Sequence, residues 1–217
     1  MIVVVIPALN CQDTLDGVLA ALPATLSVVV VDDGSTVPLR APGRRLVRHP
    51  VNRGYGAAQK SGYTAALTLG ADRVVLVHGD GQYHLADTLS LTDALTTADV
   101  ALGSRFLADP SVIPGWRRLG NRALTTLANL RFRARHTELH TGARAYRASF
   151  LAALPMSTFS DDYLFDQQLL CWALRARRPI VEQPVRVKYG MDTQSIRFGR
   201  AVVYGLGCVH EILRTPR

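Results

Sequence analysis

Short, continuous apolar runs rich in valine alternate with helix-like segments in the first half of the chain. The runs cover residues 2–7, 27–33 and 73–80, and their β-branched composition is typical of strands buried on both faces of a sheet. Between them, the segments from Asp13 and from Gly56 place apolar side chains at helical spacing. The alternation predicts an α/β fold with an open, mostly parallel sheet.

The pattern changes after Arg105, where a loop marked by proline and glycine leads into mainly helical segments. Residues 117–135 are predicted to form a basic amphipathic helix, and a further helix is predicted from about Leu164. Residues 180–190 predict a strand, and the tail from Ser195 predicts a helix. Neither a low-complexity linker nor an internal repeat interrupts the chain, so we expect a single domain over residues 1–217.

Composition supports an ordinary globular protein with a sizeable core. The 217 residues are 48% hydrophobic and 19% charged. No apolar run approaches the roughly 18–20 residues that span a membrane, and the opening "MIVVVIP" lacks the features of a signal peptide. The three cysteines, Cys11, Cys171 and Cys208, are widely spaced, which indicates free thiols in a reducing compartment. These features predict a cytoplasmic location.

The net charge of +8 comes almost entirely from arginine and suggests partners that carry phosphate. A nucleotide, a nucleic acid, a lipid phosphate and anionic headgroups all fit that charge. A nucleic acid is disfavoured, because the sequence shows no helix-turn-helix, zinc or aromatic stacking motif and spreads its charge along the chain. The basic stretch 117–135, with Arg197 and Arg200, could lie on an anionic membrane or simply form a solvated helical face.

Acidic residues follow the predicted strands. Asp32 and Asp33 follow one Val-rich run, and Asp80 follows another. In open α/β sheets, ligands bind outside the carboxyl ends of the strands, so these acids are candidates for a binding site. Asp33 is expected to face solvent and to meet a base or a ribose. The alternative is that "DDGST" forms only a turn and a helix cap.

The loop "NRGYGAAQKSGY", residues 52–63, opens a helix rich in small residues. It is neither a dinucleotide fingerprint, because Gln59 stands where the third glycine would be, nor a Walker loop. Gly54 and Gly56 permit a close approach of another group. Lys60 could reach a phosphate, or it could be an ordinary solvated lysine.

The segment "VLVHGDGQYH" raises a choice between a metal site and a polar turn. Asp80 could bind a divalent cation through oxygen, and the cation would bridge a diphosphate. His78 stands two residues earlier, so on an extended segment both side chains would point the same way. Histidine suits Mn²⁺ better than Mg²⁺, and the alternative for His78 is a packing role.

Six motifs carry a resemblance to a known family. "VIPALN", "VVVVDDGST", "NRGYGAAQKSGY", "VLVHGDGQYH", "GSRF" and "LHTGARAYR" occur in the order and spacing of the family 2 glycosyltransferases, over residues 2–205. The chain most resembles the polyprenyl-phosphate mannose or glucose synthase branch. Two later segments, "SDDYLFDQQLL" and "QSIRFGRAVVYGLG", resemble motifs of a soluble bacterial subgroup.

The resemblance implies a GT-A fold, with a Rossmann-like central sheet covered by helices on both faces. It also implies an inverting transfer of a sugar from a UDP- or GDP-sugar, assisted by Mn²⁺ or Mg²⁺. Residues 1–106 would bind the nucleotide-sugar, and residues 107–217 would form the acceptor side. The acceptor would be a polyprenyl phosphate or a small-molecule hydroxyl, with possible contact at the inner face of the membrane. The alternative is a catalytically degenerate nucleotide-sugar-binding protein.

Site residues follow from the same resemblance. Asp80 would be the metal carboxylate, whereas His78 replaces the family's first metal-motif aspartate. Arg105 would reach toward the diphosphate or an acceptor phosphate, and His140 would touch the acceptor or the diphosphate. The remaining residues implied for donor binding are Pro7, Ala8, Asn10, Asp33, Lys60, Gly79 and Gln82.

A second acidic cluster supplies candidates for a catalytic base. Asp161, Asp162 and Asp166 fall within six residues at a predicted helix start. The resemblance places a catalytic aspartate here, and Asp162 is the first candidate to deprotonate an acceptor hydroxyl. The alternative is that Ser160 and the acids only cap the helix.

Overall fold

A mixed sheet forms the centre of the protein. The computed structural model describes residues 1–188 and 198–216, except for the side chains of Phe198 and Arg200. Its strands are β1 (Ile2–Ala8), β2 (Ser27–Asp32), β3 (Arg45–Arg48), β4 (Arg73–Leu76), β5 (Val100–Ser104), β6 (Arg144–Arg147) and β7 (Ile180–Pro184). They lie in the order β3-β2-β1-β4-β6-β5-β7, and every pairing is parallel except those of β6.

Helices cover both faces of this sheet. They are α1 (Gln12–Ala21), α2 (Tyr55–Thr68), α3 (Leu85–Ala94), α4 (Arg105–Ala108), α5 (Gly115–Phe132), α6 (Ala148–Ala152), α7 (Leu164–Arg175) and α8 (Phe198–Arg214). Two short 3₁₀ turns lie at Pro110–Val112 and Met156–Thr158. None of the helices in the described residues is both long enough and apolar enough to cross a bilayer.

The alternation of side chains along the central strands builds two cores. On β1, Val3 and Val5 pack into one core together with residues of α2, α6 and α7, whereas Val4 and Ile6 pack into the other with residues of α1 and α3. All four side chains are fully buried. A strand that is buried on both faces reads as a continuous apolar run, which is why the Val-rich segments predicted these strands correctly.

Other boundaries differ from the sequence-based prediction. β3 and β6 were not predicted, because each has only four residues and carries arginine at both ends. β4 ends at Leu76 rather than at residue 80. The predicted strand over 180–190 ends at Pro184, and the predicted helix from Ser195 is described from Phe198 onward, because residues 189–197 lie outside the described residues.

The antiparallel strand β6 brings a distant segment to the carboxyl edge of the sheet. Leu76, the last residue of β4, pairs with Arg144, the first residue of β6. Two steps further along the same register, His78 faces Gly142. Residues just before β6 therefore meet residues just after β4, and "LHTG" lies beside "HGDG" although more than 60 residues separate them.

Candidate functional site at the carboxyl edge of the sheet

Hydrogen bonds join the segments that follow β1 and β2. The Asp33 amide donates to the Ala8 carbonyl at 2.9 Å. The Asn10 amide donates to Ser35 Oγ at 2.9 Å, and the Thr36 amide donates to Asn10 Oδ1 at 2.9 Å. Asn10 adopts a positive φ of 50°, which asparagine tolerates better than most residues. The two strand ends thus form one continuous polar rim, and Pro7 lies half-buried at its base.

Both acids of "DDGST" bind groups of the protein itself. Asp32 is fully buried, and its carboxylate accepts hydrogen bonds from the amides of Ser35 and Leu39. Burial alone would raise the pKa of Asp32, but these hydrogen bonds and nearby Arg48 lower it instead. Asp32 therefore stabilises a turn, as the alternative interpretation of "DDGST" predicts.

Asp33 organises the glycine loop. Its carboxylate lies 2.6 Å from His49 Nδ1 and accepts the amides of Arg53 at 3.0 Å and Gly54 at 2.9 Å. Only 4% of the residue is exposed. The expectation that Asp33 faces solvent is wrong, because three partners draw the carboxylate into the protein.

Residues 78–81 form a turn, not an extended segment. The Gly81 amide donates to the His78 carbonyl at 3.3 Å, and Gly81 has a positive φ of 65°. The argument that His78 and Asp80 share one side of a strand therefore does not apply. A Cβ built on Gly79 would lie 3.5 Å from the Ala8 side chain, so this turn packs against the end of β1.

Asp80 keeps part of its carboxylate available for a ligand. The residue is half-buried, and Oδ1 accepts the Gln82 amide at 3.1 Å. Within the described residues, no hydrogen bond or ion pair engages Oδ2. Asp80 therefore differs from Asp32 and Asp33, whose two oxygens each have a partner in the protein.

The hydrogen bonds of His78 fix its tautomer. Nε2 lies 3.1 Å from the Gly142 carbonyl oxygen, which can only accept, so Nε2 carries the proton. The Tyr55 hydroxyl lies 3.2 Å from the same nitrogen. In the neutral ring the lone pair is then on Nδ1, so only Nδ1 is available as a metal ligand. This is the arrangement of a metal-binding histidine whose second nitrogen is held by a backbone carbonyl.

Asp80 and His78 lie on the same turn and are the side chains of that turn whose chemistry would suit a divalent cation. In the part of the chain that the structure describes, no group of three or more histidine, cysteine or acidic residues surrounds a common point. A cation held by these two side chains would need further oxygen ligands from water or from a bound ligand. One carboxylate and one imidazole nitrogen match the preferences of Mn²⁺ better than those of Mg²⁺.

The glycine loop packs against the second acidic cluster. The Ala57 amide donates to the Asp161 carbonyl at 3.0 Å. A Cβ on Gly56 would lie 2.7 Å from the carbonyl oxygens of Ser160 and Asp162, and one on Gly54 would collide with the Asp161 carbonyl. The two glycines are needed for this close contact between distant segments. The close approach that they were predicted to permit is therefore made by another segment of the same chain.

The three acids of this cluster have different environments. Asp166 is buried, accepts from Gln59 Nε2 at 2.9 Å and lies 3.6 Å from buried Arg144. Asp161 is exposed and pairs with Lys60 at 2.9 Å. Asp162 is exposed, and its Oδ1 accepts the amide of the next residue at 2.8 Å.

These environments reduce the number of candidates for the catalytic base. Asp166 is engaged inside the protein, which does not suit a base that meets an acceptor. Lys60 also donates to the Phe159 carbonyl, so it ties the acidic turn to α2 and is not directed at a phosphate. Ser160 does not act as the N-cap of α7, which has Tyr163 at that position and no side-chain cap. Asp162 is the exposed acid without a lysine partner among the described residues.

A row of aromatic rings connects the acidic turn to the "HGDG" turn. Tyr163 stacks on Tyr55 with ring centroids 5.1 Å apart. Tyr55 lies 5.8 Å from the His78 ring, and His78 lies 5.4 Å from Tyr83. The row runs from Tyr163, the neighbour of Asp162, to Tyr83 in the segment that follows Asp80.

Arg105 is held inside the protein. Its backbone amide and its guanidinium both donate to fully buried Glu138, and Nη2 also donates to the His140 carbonyl at 3.0 Å. Asn121 Nδ2 donates to the same carboxylate at 2.7 Å. The expectation that Arg105 reaches toward a phosphate is not supported by this geometry, because Glu138 already engages the guanidinium.

His140 is half-buried beside α8, and its imidazole Nε2 is fully buried. Nδ1 lies 3.0 Å from the Tyr204 hydroxyl, and within the described residues buried Nε2 has no hydrogen-bond partner. Burial, together with the positive charges of Arg144 and Arg105, lowers the pKa of His140 to about 3. The imidazole is therefore neutral at physiological pH. It can form hydrogen bonds but carries no positive charge.

A cavity of about 840 Å³ adjoins the "HGDG" turn on the side of β7. The Lys188 amide donates to the Gln82 carbonyl at 2.8 Å, and Tyr83 bridges to Val187, so the wall of the cavity is tied to the turn. Arg186 pairs with Asp87 and holds the pKa of that carboxyl well below its usual range. The lining residues are His84, Asp87, Ala108, Asp109, Val112, Pro184, Val185, Arg186, Val187 and Lys188.

Sequence reasoning missed several residues that shape the site. Tyr55 and Tyr163 form the aromatic row, and only their position beside the predicted motifs could have indicated them. Glu138 was missed as the partner of Arg105. The sequence does contain a hint of this role, because Glu138 is the first acidic residue after Asp109 and follows a stretch that contains six arginines.

Comparisons with known proteins agree with this architecture. The family described as Glycosyl transferase family 2 matches residues 3–154. An uncharacterised glycosyltransferase of Mycobacterium tuberculosis is 31% identical over 88% of this chain and 86% of its own length. The undecaprenyl-phosphate mannosyltransferase of Micrococcus luteus is 26% identical over 85% of this chain and 82% of its own length.

Solved structures show the same fold. Glucosyl-3-phosphoglycerate synthase from Mycobacterium tuberculosis, in complex with Mn²⁺, UDP and phosphoglyceric acid, matches 100% of this chain and 80% of its own with a TM-score of 0.74. The same enzyme with Mn²⁺ and UDP-glucose gives a TM-score of 0.75 over 98% of this chain and 78% of its own. Sequence identity is 20% and 21%, so these similarities concern the fold, which is GT-A.

Proposed function

Because the chain belongs to glycosyl transferase family 2 and is a glycosyltransferase, we propose that it moves a sugar, with inversion, from a UDP- or GDP-sugar to a polyprenyl phosphate. The observation that carries the proposal is the convergence of three segments at one edge of the sheet. They are residues 8–10, residues 33–36 and residues 78–82, joined by the hydrogen bonds and contacts described above. A cleft at the carboxyl ends of parallel strands is where an α/β sheet binds a nucleotide.

The donor would lie along this rim. Pro7, Ala8 and Asn10 would border the nucleobase, and Asp33 would act by holding the Arg53–Gly54 loop. Gly79, Asp80 and Gln82 would lie at the diphosphate. The proposed divalent cation, held by Asp80 and by His78 Nδ1, would offset the charge that develops on the leaving nucleoside diphosphate. Mn²⁺ accompanies UDP in structures of glucosyl-3-phosphoglycerate synthase, which supports this assignment.

The bond changes are those of a single displacement. An acceptor oxygen forms a bond to the anomeric carbon while the bond from that carbon to the β-phosphate oxygen breaks, and the configuration inverts. A phosphate acceptor arrives ionised and needs no strong base. A hydroxyl acceptor must lose a proton, which Asp162 would accept.

Two observations favour a polyprenyl phosphate as the acceptor. The cavity beside the diphosphate position contains Lys188 and the apolar side chains of Val112, Val185 and Val187, whereas Arg186 in its wall is already paired with Asp87. A phosphate attached to an apolar chain combines the same two properties. The similar proteins named as an undecaprenyl-phosphate mannosyltransferase and a dolichyl-phosphate N-acetylglucosaminyltransferase support this choice. A small-molecule hydroxyl is the second candidate, favoured by the exposed carboxylate of Asp162.

The donor site can be tested through its cation. Calorimetry with UDP and with GDP, in Mn²⁺ and in chelator, should show much tighter binding of one nucleotide in the presence of the metal. Asp80→Asn should lower the transfer rate on the order of 10²-fold or more, as expected when electrostatic stabilisation of a leaving group is lost. The matched control is Asp93→Asn, which alters an exposed acid on α3. Equal nucleotide affinity in both buffers would refute the site, and binding without turnover would indicate a degenerate binding protein.

The acceptor class can be tested through Asp162. If the acceptor is a phosphate, Asp162→Asn should retain most of the transfer rate to a short polyprenyl phosphate. If the acceptor is a hydroxyl, the same change should reduce turnover about 10²–10⁴-fold while donor affinity stays unchanged. Asp161→Asn is the matched control, because that neighbouring acid pairs with Lys60. A large loss for Asp162→Asn alone would reject the phosphate acceptor.

A further inference from the structure

A hydrogen-bond network runs from helix α2 to the carboxylate of Asp33. His49 Nδ1 lies 2.6 Å from Asp33 Oδ1, and His49 Nε2 lies 2.8 Å from the hydroxyl oxygen of Ser61 on α2. A carboxylate can only accept, so Nδ1 carries the proton. In the neutral ring Nε2 is then the acceptor, and Ser61 donates to it. We call these three residues the Ser61–His49–Asp33 network.

His49 is held through its backbone and through its ring. It follows β3 directly, and its amide donates to the Asp32 carbonyl at 2.9 Å. Only 4% of the residue is exposed. The buried imidazole has a partner on each nitrogen, so a different orientation of the ring would leave buried polar atoms unpaired. His49 therefore joins the ends of β2 and β3 to α2.

The Asp33 end of the network holds the loop that opens α2. The amides of Arg53 and Gly54 donate to this carboxylate at 3.0 Å and 2.9 Å. Gly54 has a φ of 109°, and a Cβ on Gly34 would collide with the backbone of Val51. The loop therefore packs directly on the segment that follows β2, where the proposed donor site lies, and Asp33 fixes its conformation.

The same loop sets the position of Tyr55. This residue follows Gly54 and begins α2, and its hydroxyl lies 3.2 Å from His78 Nε2 in the "HGDG" turn. A shift of Gly54 would displace Tyr55, because the two are adjacent in the backbone. The Ser61–His49–Asp33 network thus affects the segment after β2 and the turn that carries Asp80.

A serine, a histidine and an aspartate in this order activate a nucleophile in serine hydrolases. Ser61, however, lies in the second turn of α2, where the backbone amides donate within the helix. An oxyanion site needs N–H groups that are directed at the reacting oxygen. The network is therefore suited to holding a loop and not to acyl transfer.

We propose that His49 and Ser61 are positioning residues for the nucleotide-sugar. They act through Asp33, which keeps the Arg53–Gly54 segment in the conformation that binds the nucleoside diphosphate, and neither of them touches the donor. This inference rests on the proposed function and extends it, because neither residue belongs to the donor-binding set that the resemblance implies. Burial of His49 agrees with an indirect role.

Two substitutions separate the two contacts of His49. The side-chain amide of asparagine lies near the position of Nδ1 and that of glutamine near Nε2, so His49→Asn keeps a donor for Asp33 and His49→Gln loses it. In Mn²⁺, His49→Gln should weaken binding of UDP or GDP about 10–100-fold, and His49→Asn should stay within about threefold of the parent. Calorimetry also gives the active fraction. A merely structural role would lower that fraction and leave the dissociation constant unchanged.

Ser61→Ala tests the outer end of the network at a half-buried position. It should weaken nucleotide binding about three- to tenfold, and Ser61→Thr, which keeps a hydroxyl, should bind more nearly as the parent does. Ser90→Ala, which alters an exposed serine on α3, is the matched control and should bind like the parent. At saturating donor, Ser61→Ala should transfer sugar within about twofold of the parent rate, because the reacting groups are unchanged.

Hydrogen exchange tests the loop without any nucleotide. The Arg53 and Gly54 amides should exchange at least about tenfold faster in His49→Gln than in the parent or in His49→Asn. Unchanged exchange would overturn the proposal, and so would unchanged affinity in both His49→Gln and Ser61→Ala. If exchange responds but the parent binds neither UDP nor GDP, the proposed function fails, and with it the role of the two residues in nucleotide binding, whereas their hold on the loop stands.

Discussion

Asp33 and Asp80 both follow a strand of the sheet, but they differ in how many protein groups each already binds. Asp33 accepts two backbone amides and contacts His49, whereas Asp80 accepts one amide through one oxygen. A carboxylate with all of its positions engaged maintains the fold, and one with a vacant oxygen can bind a ligand. At the residue scale, a carboxylate oxygen without a partner among the described residues is therefore a better indicator of function than the presence of the acid itself.

Asp33→Ala should destabilise the protein. The change removes the acceptor of the Arg53 and Gly54 amides and leaves buried His49 without its carboxylate partner. We expect a loss of about 2–4 kcal/mol in the free energy of unfolding, measured by urea denaturation. The comparison variant Asp80→Ala should lie within about 0.5 kcal/mol of the parent. Equal denaturation midpoints for Asp33→Ala and the parent would contradict the role assigned here.

The sequence located the acids of the site but could not rank them. Strand ends are readable from apolar runs, so the positions of Asp32, Asp33 and Asp80 at one edge were predictable. Whether an amide from residue 53 or 54 would turn toward Asp33 depends on a loop conformation that no local pattern encodes. The partner of Arg105 could not be predicted for the same reason, because Glu138 lies 33 residues away along the chain.

At the scale of elements, β6 contributes most to the site. Its antiparallel insertion between β4 and β5 places Gly142 against the His78 ring. The Val-rich strands could be predicted because burial on both faces leaves a strong apolar signal. β6 could not, because it consists of four residues, "RAYR", and its first arginine is buried through contact with Asp166 and with backbone carbonyls.

Helix α5 shows a related limit. Its basic amphipathic pattern was read correctly as a helix, and the helix spans Gly115–Phe132. The pattern does not say which side faces inward, and the usual rule would bury the leucines. The structure buries Asn121 and Thr125 together with Ala128, because Glu138 and the Leu139 amide offer the two polar side chains hydrogen bonds, and it leaves Leu119 and Leu130 exposed.

Gly142→Ala tests the contact between β6 and the "HGDG" turn. A Cβ at this position would lie 2.5 Å from His78 Nε2 and 3.2 Å from the Tyr83 ring, so the imidazole must move. If His78 helps to hold the cation, the affinity for UDP or GDP in Mn²⁺ should fall about 10–100-fold, whereas the affinity in chelator should not change. Calorimetry in the two buffers measures this difference.

Gly120→Ala is the matched control, because a Cβ there, on α5, meets no atom within 4 Å. It should leave nucleotide affinity unchanged and slightly stabilise the helix. If Gly142→Ala binds nucleotide as the parent does in Mn²⁺, the orientation of His78 is irrelevant to the cation and the assignment of Nδ1 as a ligand fails.

At the scale of the whole molecule, His140 lies where several distant segments meet. It contacts Tyr204 of α8, its carbonyl accepts from Arg105, and Arg144 at the start of β6 is close enough to lower its pKa. Protonation of His140 would place a positive charge at a position shielded from water and close to Arg144 and Arg105, whose own charges are already paired with Asp166 and Glu138. The stability of the fold should therefore depend on keeping this one ring neutral.

The sign of the pH dependence follows from the lowered pKa. Between about pH 6.5, the ordinary value for histidine, and about pH 3, the unfolded chain binds a proton at His140 that the folded chain does not. The stabilisation is therefore fully present above about pH 6.5 and is lost as the pH falls toward 3. From this group alone, the free energy of unfolding should fall by on the order of 3 kcal/mol between pH 7 and pH 4.

His140→Gln removes the titrating ring and keeps a neutral polar side chain. Urea denaturation at pH 7 and at pH 4 should show a smaller loss of stability on acidification for this variant than for the parent. His210→Gln, which replaces an exposed histidine on α8, serves as the matched control and should follow the parent. If His140→Gln and the parent lose the same stability between the two pH values, His140 does not titrate as a buried neutral group. The junction between α8, β6 and Arg105 would then be open to water.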